Sequence, residues 1–291
     1  MLTIGLFPYT GKPGMKDMVR NIIKHLKKHN VKVMVLKSEA QKLGVVCSGI
    51  SCGDIEDMRN EINIAIAIGG DGTLLNTARE IVPADISVCG VNMGTVGFLT
   101  EIEITELESK LDKIIAGEYN IEQRLMLDAS VLGAGTVQFE AFALNEIAIV
   151  KGGLARMIKL NLFINDEITV DYPADGLIIS TPTGSTGYSL SAGGSIIAPN
   201  LEVISITPIC PHTLQSRPLI ISAEEELRIT SKTTHSSSDI ILTIDGQNMY
   251  RLSPEDTVLI KKSRFKTKFI YFPGKSYYAT IRDRLRRFDL Y

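Results

Sequence analysis

The sequence lacks tryptophan, has only four cysteines and four histidines among its 291 residues, and has no large excess of either charge. No apolar run approaches the roughly 18 to 20 residues that a helix needs to cross a bilayer, and residues 1–7 lack a basic n-region and a cleavage site. The formal net charge of -2 provides no global field that attracts polyanions. These absences predict a cytoplasmic protein that binds neither membranes nor nucleic acid and that binds any anion through local groups.

The cysteines do not form a recognisable metal or redox motif. Neither the spacing of Cys47 and Cys52 nor the gaps to Cys89 and Cys210 match a zinc knuckle or a Cys-x-x-Cys sequence. We therefore expect free thiols and no structural metal held by cysteine.

Two of the histidines, His25 and His29, are four residues apart on a predicted helix and so share one face. Such a pair can bind a metal ion or simply lie in solvent. Because Lys24, Lys27 and Lys28 surround the pair, the sequence favours a solvated basic face, and we predict no metal site from it.

The first part of the chain alternates apolar runs with amphipathic patterns, which is typical of a parallel sheet covered by helices. Residues 62–68 stand out as a buried strand. The other predicted strands are 2–7, 31–36 and 86–91, and the predicted helices are 15–29, 74–82 and 105–116. This pattern predicts an N-terminal α/β domain.

From about residue 124 the apolar period changes to two, which indicates half-buried strands and a second, mostly antiparallel domain. Helices are predicted at 189–198 and 277–288, the last of which should pack on another element. The predicted strands are 125–131, 137–144, 158–164, 177–179, 227–230, 240–244 and 257–260.

The most informative segment is Gly69-Gly70-Asp71-Gly72-Thr73, which follows a buried strand and precedes a helix. Ligands of open α/β sheets usually bind at such a position. Glycines let backbone N–H groups approach a phosphate, and the start of a helix adds unpaired N–H groups and a positive dipole end. A carboxylate repels phosphate, so Asp71 makes sense if it accepts a proton from an attacking hydroxyl or helps to hold a metal ion. The alternative is a tight turn in which Asp71 caps the helix.

Residues 180–188 form a second candidate loop, with five hydroxyl-bearing side chains before Tyr188. Hydroxyl groups and glycine amides can bind phosphate or ribose oxygens, and the Tyr188 ring can stack on a base or ribose. The alternative is a surface turn rich in serine, threonine and proline.

Other polar residues are less decisive. Asn145 and Glu146 interrupt an apolar strand, which marks either a site or a satisfied buried pair. Asp175 and Arg156 are typical turn and surface residues, and residues 245–247 contain the Asp-Gly signal of a hairpin turn.

These motifs resemble those of the NAD kinase family, in the expected order and at similar spacing. The resemblance covers residues 4–274 and includes 69–73, 145–146 and 181–188, as well as 92–99, 211–214 and 217–219. The Gly-Gly-Asp-Gly-Thr element alone is shared with diacylglycerol-type lipid kinases and phosphofructokinase relatives, so it indicates only the superfamily. The other motifs narrow the resemblance to the NAD kinase family. One departure is Gly187, where bacterial relatives often carry alanine.

The resemblance implies ATP-dependent phosphorylation of the 2′-hydroxyl of the adenosine ribose of NAD, which gives NADP. It also implies a divalent cation, normally Mg²⁺, on the triphosphate. Asp71 would be the proton acceptor, and general-base help of this kind contributes about 10²- to 10⁴-fold. The phosphate-binding residues implied are Gly69, Gly70, Gly72 and Thr73. The NAD-binding residues implied are Asp71, Gly72, Asn145, Glu146, Arg156, Asp175, Thr186, Gly187, Tyr188, Ser189, Leu190, Ser191 and Gln247.

The family resemblance further implies the domain order. A Rossmann-like α/β domain over residues 1–122 would precede a β-rich (β-sandwich) NAD-binding domain over 123–272. The C-terminal segment, 273–291, would return to the first domain, and the chain would assemble as a homodimer or homotetramer.

Two other functions compete with this interpretation. A lipid kinase of the same superfamily would need an apolar entrance for its acceptor, and the sequence shows no amphipathic anchor. A non-catalytic dinucleotide sensor would not need Asp71. The range of phosphoryl donors, the acceptance of NADH and inhibition by NADP are open from the sequence.

Overall fold

A computed structural model describes residues 1–45, 50–94, 97–153, 157–213, 216–232, 239–274 and 277–288. The chain forms two compact units, one of Met1–Gln123 with Thr267–Tyr291 and one of Arg124–Lys266. The domain boundaries after residues 122 and 272 remain a sequence prediction. None of the helices in the described ranges is long and apolar enough to cross a membrane.

Strands and helices alternate in the first part of the chain. Its elements are β1 (Thr3–Pro8), α1 (Met15–Lys28), β2 (Lys32–Leu36), α2 (Lys37–Leu43), β3 (Ser51–Gly53), α3 (Ile55–Glu61), β4 (Ile64–Gly69), α4 (Asp71–Ile81), β5 (Ser87–Asn92), β6 (Ile102–Glu103) and α5 (Leu107–Ala116).

Strands dominate the remainder of the chain. Its elements are β7 (Asn120–Gly133), β8 (Thr136–Ala143), β9 (Glu146–Lys151), β10 (Ile158–Ile164), β11 (Glu167–Ala174), β12 (Gly176–Ser180), α6 (Tyr188–Ser191), β13 (Val203–Ile209), β14 (Leu219–Ser222), β15 (Leu227–Ser231), β16 (Ile240–Ile244), β17 (Asn248–Leu252), β18 (Thr257–Tyr271) and α7 (Tyr277–Phe288).

The first unit contains a parallel sheet whose strands are ordered β18-β5-β4-β1-β2-β3, with β6 beside β5. Every residue of β1, β4 and β5 is buried, as expected of parallel strands covered on both faces. Helix α1 has an apolar face of helical period that contributes to this core; its buried residues are Met15, Val19, Ile22, Ile23 and Leu26.

The second unit is β-rich. One sheet is antiparallel throughout and has the order β14-β13-β12-β9-β16-β17. In the other, β10 pairs with β11 and β15, and β15 pairs with residues 257–260 of β18, again antiparallel. Inward-facing residues from both sheets form one apolar core, which runs from Leu125 to Ile260.

The predicted fold class is confirmed: an α/β part precedes a β-rich part, and the C-terminal helix α7 belongs to the first unit. Helix α7 has the bounds that the sequence predicts.

Two predictions are wrong. The helix predicted over 189–198 is only the single turn α6, because the chain turns at Gly193, whose φ of 88° is left-handed. The expectation that all cysteines are free fails at Cys52, which is disulfide-bonded, whereas Cys89 and Cys210 are free. A disulfide requires two Cα atoms to approach within about 7 Å, and the spacing of cysteines along the sequence does not reveal this approach.

Candidate functional site

The predicted phosphate loop lies where the sequence analysis expects it, between β4 and α4. Gly69 ends the fully buried β4, and Gly70 is the extended N-cap residue of α4. The helix begins at Asp71, three residues earlier than predicted, so Asp71, Gly72 and Thr73 form its first turn. The positive end of the helix dipole therefore lies at these residues.

Asp71 does not cap α4, since the N-cap is Gly70 and no side chain caps this helix. Its carboxylate instead accepts hydrogen bonds from three backbone N–H groups after β5. Phe98 N donates to Oδ2 at 2.6 Å, and Leu99 N and Thr100 N donate to Oδ1 at 3.3 and 3.2 Å. These donors and the helix dipole stabilise the negative charge. A carboxylate has about four lone-pair sites, so this half-exposed group can accept one further hydrogen bond.

Two glycines are required for this arrangement because a side chain would collide with it. A Cβ at Gly97 would lie 2.0 Å from Asp71 Oδ1, and a Cβ at Gly69 would lie 2.2 Å from Thr73 Oγ1. Such distances are far below van der Waals contact. The glycines here therefore permit close packing against the side chains of Asp71 and Thr73.

Lys12, in the loop between β1 and α1, places a basic group beside the segment that follows β5. Gly69 O accepts from Met93 N at 2.7 Å, and Met93 O accepts from Lys12 Nζ at 3.1 Å. Asn92, at the end of β5, exchanges hydrogen bonds with Gly94 through both its side-chain atoms. The sequence does not reveal the position of Lys12, because its contact with Met93 joins residues that are 81 positions apart along the chain.

In the second unit, three polar segments meet at one edge of the six-stranded sheet. Strands β12, β9 and β16 are neighbours, and their register aligns Ser180 with Glu146 and Ile244 with Ile147. The end of β12, the start of β9 and the end of β16 are therefore adjacent. This edge collects residues 181–188, the Asn145-Glu146 pair and the turn at 245–247.

Asp245 organises this edge. Its buried carboxylate accepts hydrogen bonds from Leu144 N at 3.2 Å, Asn145 N at 2.8 Å and Glu146 N at 3.0 Å. Its own backbone N–H donates to Glu146 O at 2.9 Å. The predicted hairpin turn between β16 and β17 is confirmed, and this carboxylate adds a role that the sequence analysis did not assign.

The loop after β12 is tied to the same backbone. Thr181 Oγ1 donates to Leu144 O at 2.6 Å, and Thr181 N donates to Asn145 O at 2.9 Å. Gly184 packs so closely that a Cβ would lie 2.1 Å from Asn145 O. A Cβ at Gly187 would lie 3.5 Å from both Asn145 Nδ2 and Glu146 Oε2, so the loop faces the predicted NAD-binding pair.

Several hydroxyls that the sequence analysis regards as ligand donors serve the protein itself. Ser185 Oγ donates to Pro182 O at 2.6 Å, and Ser189, which is fully buried, shares a hydrogen bond with Thr207. Thr186 Oγ1 donates to Thr183 O at 3.3 Å. Among the predicted loop residues, Tyr188 and Ser191 are the exposed ones, while Thr186, Gly187 and Leu190 are half-buried.

Tyr188 lies in a negative environment. Partial burial raises the pKa of its hydroxyl above the ordinary value, and the nearby Cys210, Glu146 and Asp175 raise it further. The neutral, hydrogen-bonding phenol is therefore the form present at physiological pH. Asp175 itself forms an ion pair with Lys151 at 2.8 Å and precedes β12, at the opposite end from Thr181.

The structure thus brings Asn145, Glu146 and the 184–191 segment together within the second unit and places Gln247 in the adjacent turn, two residues after Asp245. Arg156 lies outside the described residues. The side-chain oxygen Oδ1 of Asn145 is buried and has no hydrogen-bond partner among the described residues, which is unusual in a native protein.

Comparisons with known proteins point to one family. The sequence profile of the ATP-NAD kinase N-terminal domain matches residues 4–119, and that of the ATP-NAD kinase C-terminal domain matches residues 144–272. The chain is 39% identical to an NAD kinase of Moorella thermoacetica, covering 98% of this chain and 90% of that protein. It is 40% identical to an NAD kinase of a Thermoanaerobacter species, covering 98% and 99%.

Solved structures show the same fold. Yeast NADH kinase in complex with NADH superposes with a TM-score of 0.87 at 26% identity, covering 97% of this chain and 86% of that one. An NAD kinase from Archaeoglobus fulgidus in complex with ATP gives 0.76 at 24%, covering 98% and 99%. With both domain profiles matched and relatives similar over nearly the full length, the chain belongs to the NAD kinase family.

Proposed function

We propose that this protein transfers the γ-phosphoryl group of ATP to the 2′-hydroxyl of the adenosine ribose of NAD, giving NADP and ADP. The observation that carries the proposal is the placement of Asp71. A carboxylate at the start of a helix, directly after two glycines, is fixed by three backbone donors at 2.6 to 3.3 Å. A pure phosphate-binding loop has no need of this negative group.

In the proposed mechanism, Asp71 accepts the proton of the 2′-hydroxyl as its oxygen forms a bond to the γ-phosphorus. The bond from that phosphorus to the bridging oxygen breaks, and ADP leaves. Positioning and charge neutralisation supply most of the rate in phosphoryl transfer. The backbone donors to Asp71 contribute to positioning, because they fix the carboxylate before substrate binds.

The remaining site residues follow as part of the proposal. Gly69, Gly70, Gly72 and Thr73 would lie against phosphates at the N-terminus of α4. Asn145 and Glu146 would bind the adenine and ribose region, with the orphaned Oδ1 of Asn145 as an acceptor for an adenine or ribose donor. The loop residues from Thr186 to Ser191 would line the dinucleotide, and Asp175, Arg156 and Gln247 would make further contacts.

A divalent cation, Mg²⁺ in this proposal, would enter on the triphosphate. Mg²⁺ commonly keeps several waters and is held by substrate phosphates together with one or two carboxylates. The loop fits a cation held mainly by the phosphates and water, because it offers a single carboxylate, Asp71, whose oxygens already accept three backbone N–H groups. When bound, the cation neutralises charge on the transferring phosphoryl group.

Asp71→Asn tests the proposal. The amide has nearly the shape of the carboxylate but accepts no proton, and its NH₂ group faces backbone N–H donors, at a stability cost of about 1 to 3 kcal/mol. We expect NADP formation to fall by about 10²-fold or more, with NAD affinity kept within about tenfold. NADP is followed with an NADP-specific dehydrogenase, and NAD binding by calorimetry. The matched control is Asp17→Asn, an exposed carboxylate in the first turn of α1. Equal losses of turnover and NAD binding would overturn the assigned role of Asp71, and NAD binding without turnover in the wild type would indicate a sensor.

We further propose, from the family resemblance, a cytoplasmic homodimer or homotetramer. Light scattering coupled to size-exclusion chromatography tests the assembly, and a monomer at micromolar concentration would contradict it.

A further inference from the structure

Three metal-ligating side chains meet on the surface of the first unit. His25 lies in the last turn of α1 and His29 is the C-cap residue of that helix, and their ring centroids are 5.2 Å apart. Asp112, on α5, places Oδ1 2.7 Å from His25 Nε2 and 3.6 Å from His29 Nε2. The three ligand atoms all lie within 4.8 Å of one another. This is the one such group that the described part of the chain contains.

We propose that His25, His29 and Asp112 bind one divalent transition-metal ion, for which Zn²⁺ is the natural probe. In tetrahedral coordination with bonds of about 2.0 to 2.1 Å, neighbouring ligand atoms are about 3.3 Å apart. The two nitrogen-to-oxygen distances of 2.7 and 3.6 Å bracket that value. A metal ion would replace the hydrogen bond between His25 and Asp112 with one bond from the metal to His25 Nε2 and one to Asp112 Oδ1. This requires side-chain shifts of about 1 Å.

The donor chemistry selects the metal class. Two neutral imidazoles and one carboxylate suit Zn²⁺, Co²⁺ or Ni²⁺, whereas Mg²⁺ prefers oxygen ligands and waters. The ligands of this site therefore differ in kind from those proposed for the Mg²⁺ ion on the triphosphate. The fourth position is open to water, since the Asp112 and His29 side chains are about half exposed.

The surrounding charges limit the affinity but do not abolish binding. Lys24 and Lys28 on α1 and Lys113 on α5 are sequence neighbours of the ligands, and their positive charges oppose a cation. They are exposed, so solvent and salt screen them. The carboxylate of Asp112 supplies the compensating charge. This acid is 87 residues from His25 along the chain, so the sequence shows two ligands while the fold supplies the third.

A titration of the full chain with Co²⁺ and Zn²⁺, without nucleotide and in excess Mg²⁺, tests the proposal. The chain has four histidines, so imidazole resonances of ¹⁵N-histidine-labelled protein are resolvable one by one. We expect Co²⁺ to broaden the resonances of His25 and His29 and to leave those of His212 and His235 sharp. Zn²⁺ should bind with one-to-one stoichiometry and raise Tm by about 5 °C at a hundredfold excess over its Kd.

Variants identify the ligands. His29→Gln and Asp112→Asn alter exposed side chains, so both should fold, and each should weaken Zn²⁺ binding at least about tenfold. His25 is mostly buried (12% exposed), so His25→Gln is confirmatory and is read only with a folded circular dichroism spectrum. His212→Gln and Cys210→Ser are matched controls outside the cluster, and both should bind Zn²⁺ as the wild type does.

Three outcomes would overturn the site: no saturable binding of Zn²⁺, unchanged binding in both His29→Gln and Asp112→Asn, or broadening at His212 or His235 instead of His25 and His29. The test does not use the kinase reaction, so its failure leaves the proposed function untouched.

Discussion

Asp245 is the residue whose importance is least visible in the sequence, because it looks like an ordinary member of a hairpin turn. Its carboxylate holds the backbone of Leu144, Asn145 and Glu146 through three hydrogen bonds. The proposed NAD-binding pair therefore depends on it for position.

We expect Asp245→Asn to raise the KM for NAD at least about tenfold and to reduce kcat less. The amide presents one donor to backbone donors, so at least one N–H of this edge loses its acceptor, at a stability cost of about 1 to 3 kcal/mol. Steady-state kinetics with calorimetric unfolding measures both effects. Asp166→Asn is the control, since Asp166 is exposed and lies in the turn between β10 and β11. A normal KM for NAD in the Asp245 variant would contradict the positioning role.

Cys89 and Cys210, the free cysteines in the described ranges, should differ sharply in reactivity. Burial raises the pKa of the Cys89 thiol well above its usual range, and Glu101 raises it further. Cys89 therefore stays protonated through neutral and mildly alkaline pH, and only the thiolate is nucleophilic. We expect iodoacetamide at about pH 8 to modify exposed Cys210 in the native protein, and both residues after denaturation. Mass spectrometry of peptides measures this, and equal labelling of native Cys89 and Cys210 would contradict it.

At the scale of elements, the turn after β12 packs against the backbone of Asn145, and at position 184 only glycine permits this contact. A Cβ at Gly184 would lie 2.1 Å from Asn145 O, whereas a Cβ at Gly187 would meet Gly184 O at 3.3 Å. The φ of Gly187 is -97°, which lies outside the left-handed region that favours glycine.

Gly184→Ala and Gly187→Ala therefore form a matched pair. We expect Gly184→Ala to displace the loop from the Asn145 backbone, with a loss of about 1 to 3 kcal/mol in stability and of at least about tenfold in kcat/KM for NAD. Gly187→Ala should keep kcat/KM within about threefold and change stability by less than about 1 kcal/mol. Thermal unfolding and NADP formation distinguish the two variants, and equal behaviour would contradict the close packing of Gly184 on the Asn145 backbone.

Element bounds follow closely from periodicity where packing is regular. Strands β10 and β16 and helix α7 have the predicted limits, because alternation and helical spacing are local properties. Strand β9 was not predicted, since Asn145 and Glu146 hid its start, and the short strands β3 and β6 carry too few residues to show a period.

At the scale of the whole molecule, the protein has two separate apolar cores, one in each unit. Leu6 is fully buried in the first and Leu242 in the second. Each substitution to alanine removes about 2 to 5 kcal/mol of stability through lost burial and a cavity.

We expect each variant to raise hydrogen exchange mainly within its own unit. Leu6→Ala should accelerate exchange in β1, β2 and β4, while β9, β12 and β16 keep wild-type protection; Leu242→Ala should do the reverse. Exchange followed by mass spectrometry measures the pattern. Uniform acceleration along the chain in both variants would show that the two units unfold as one.

The sequence by itself determined the fold class, the position of the Gly-Gly-Asp-Gly-Thr loop after β4, the hairpin at Asp245 and the family, since apolar period and glycine placement are local properties of the chain. Only the tertiary structure decided what surrounds Asp71, what Asp245 binds and which acid joins His25 and His29. It also decided the shortening of α6 and the state of Cys52. The physical reason is distance along the chain: Asp71 meets its donors 27 to 29 residues away, and Asp245 meets its donors 99 to 101 residues away. Hydrogen bonds of that kind exist only once the strands that carry them have paired.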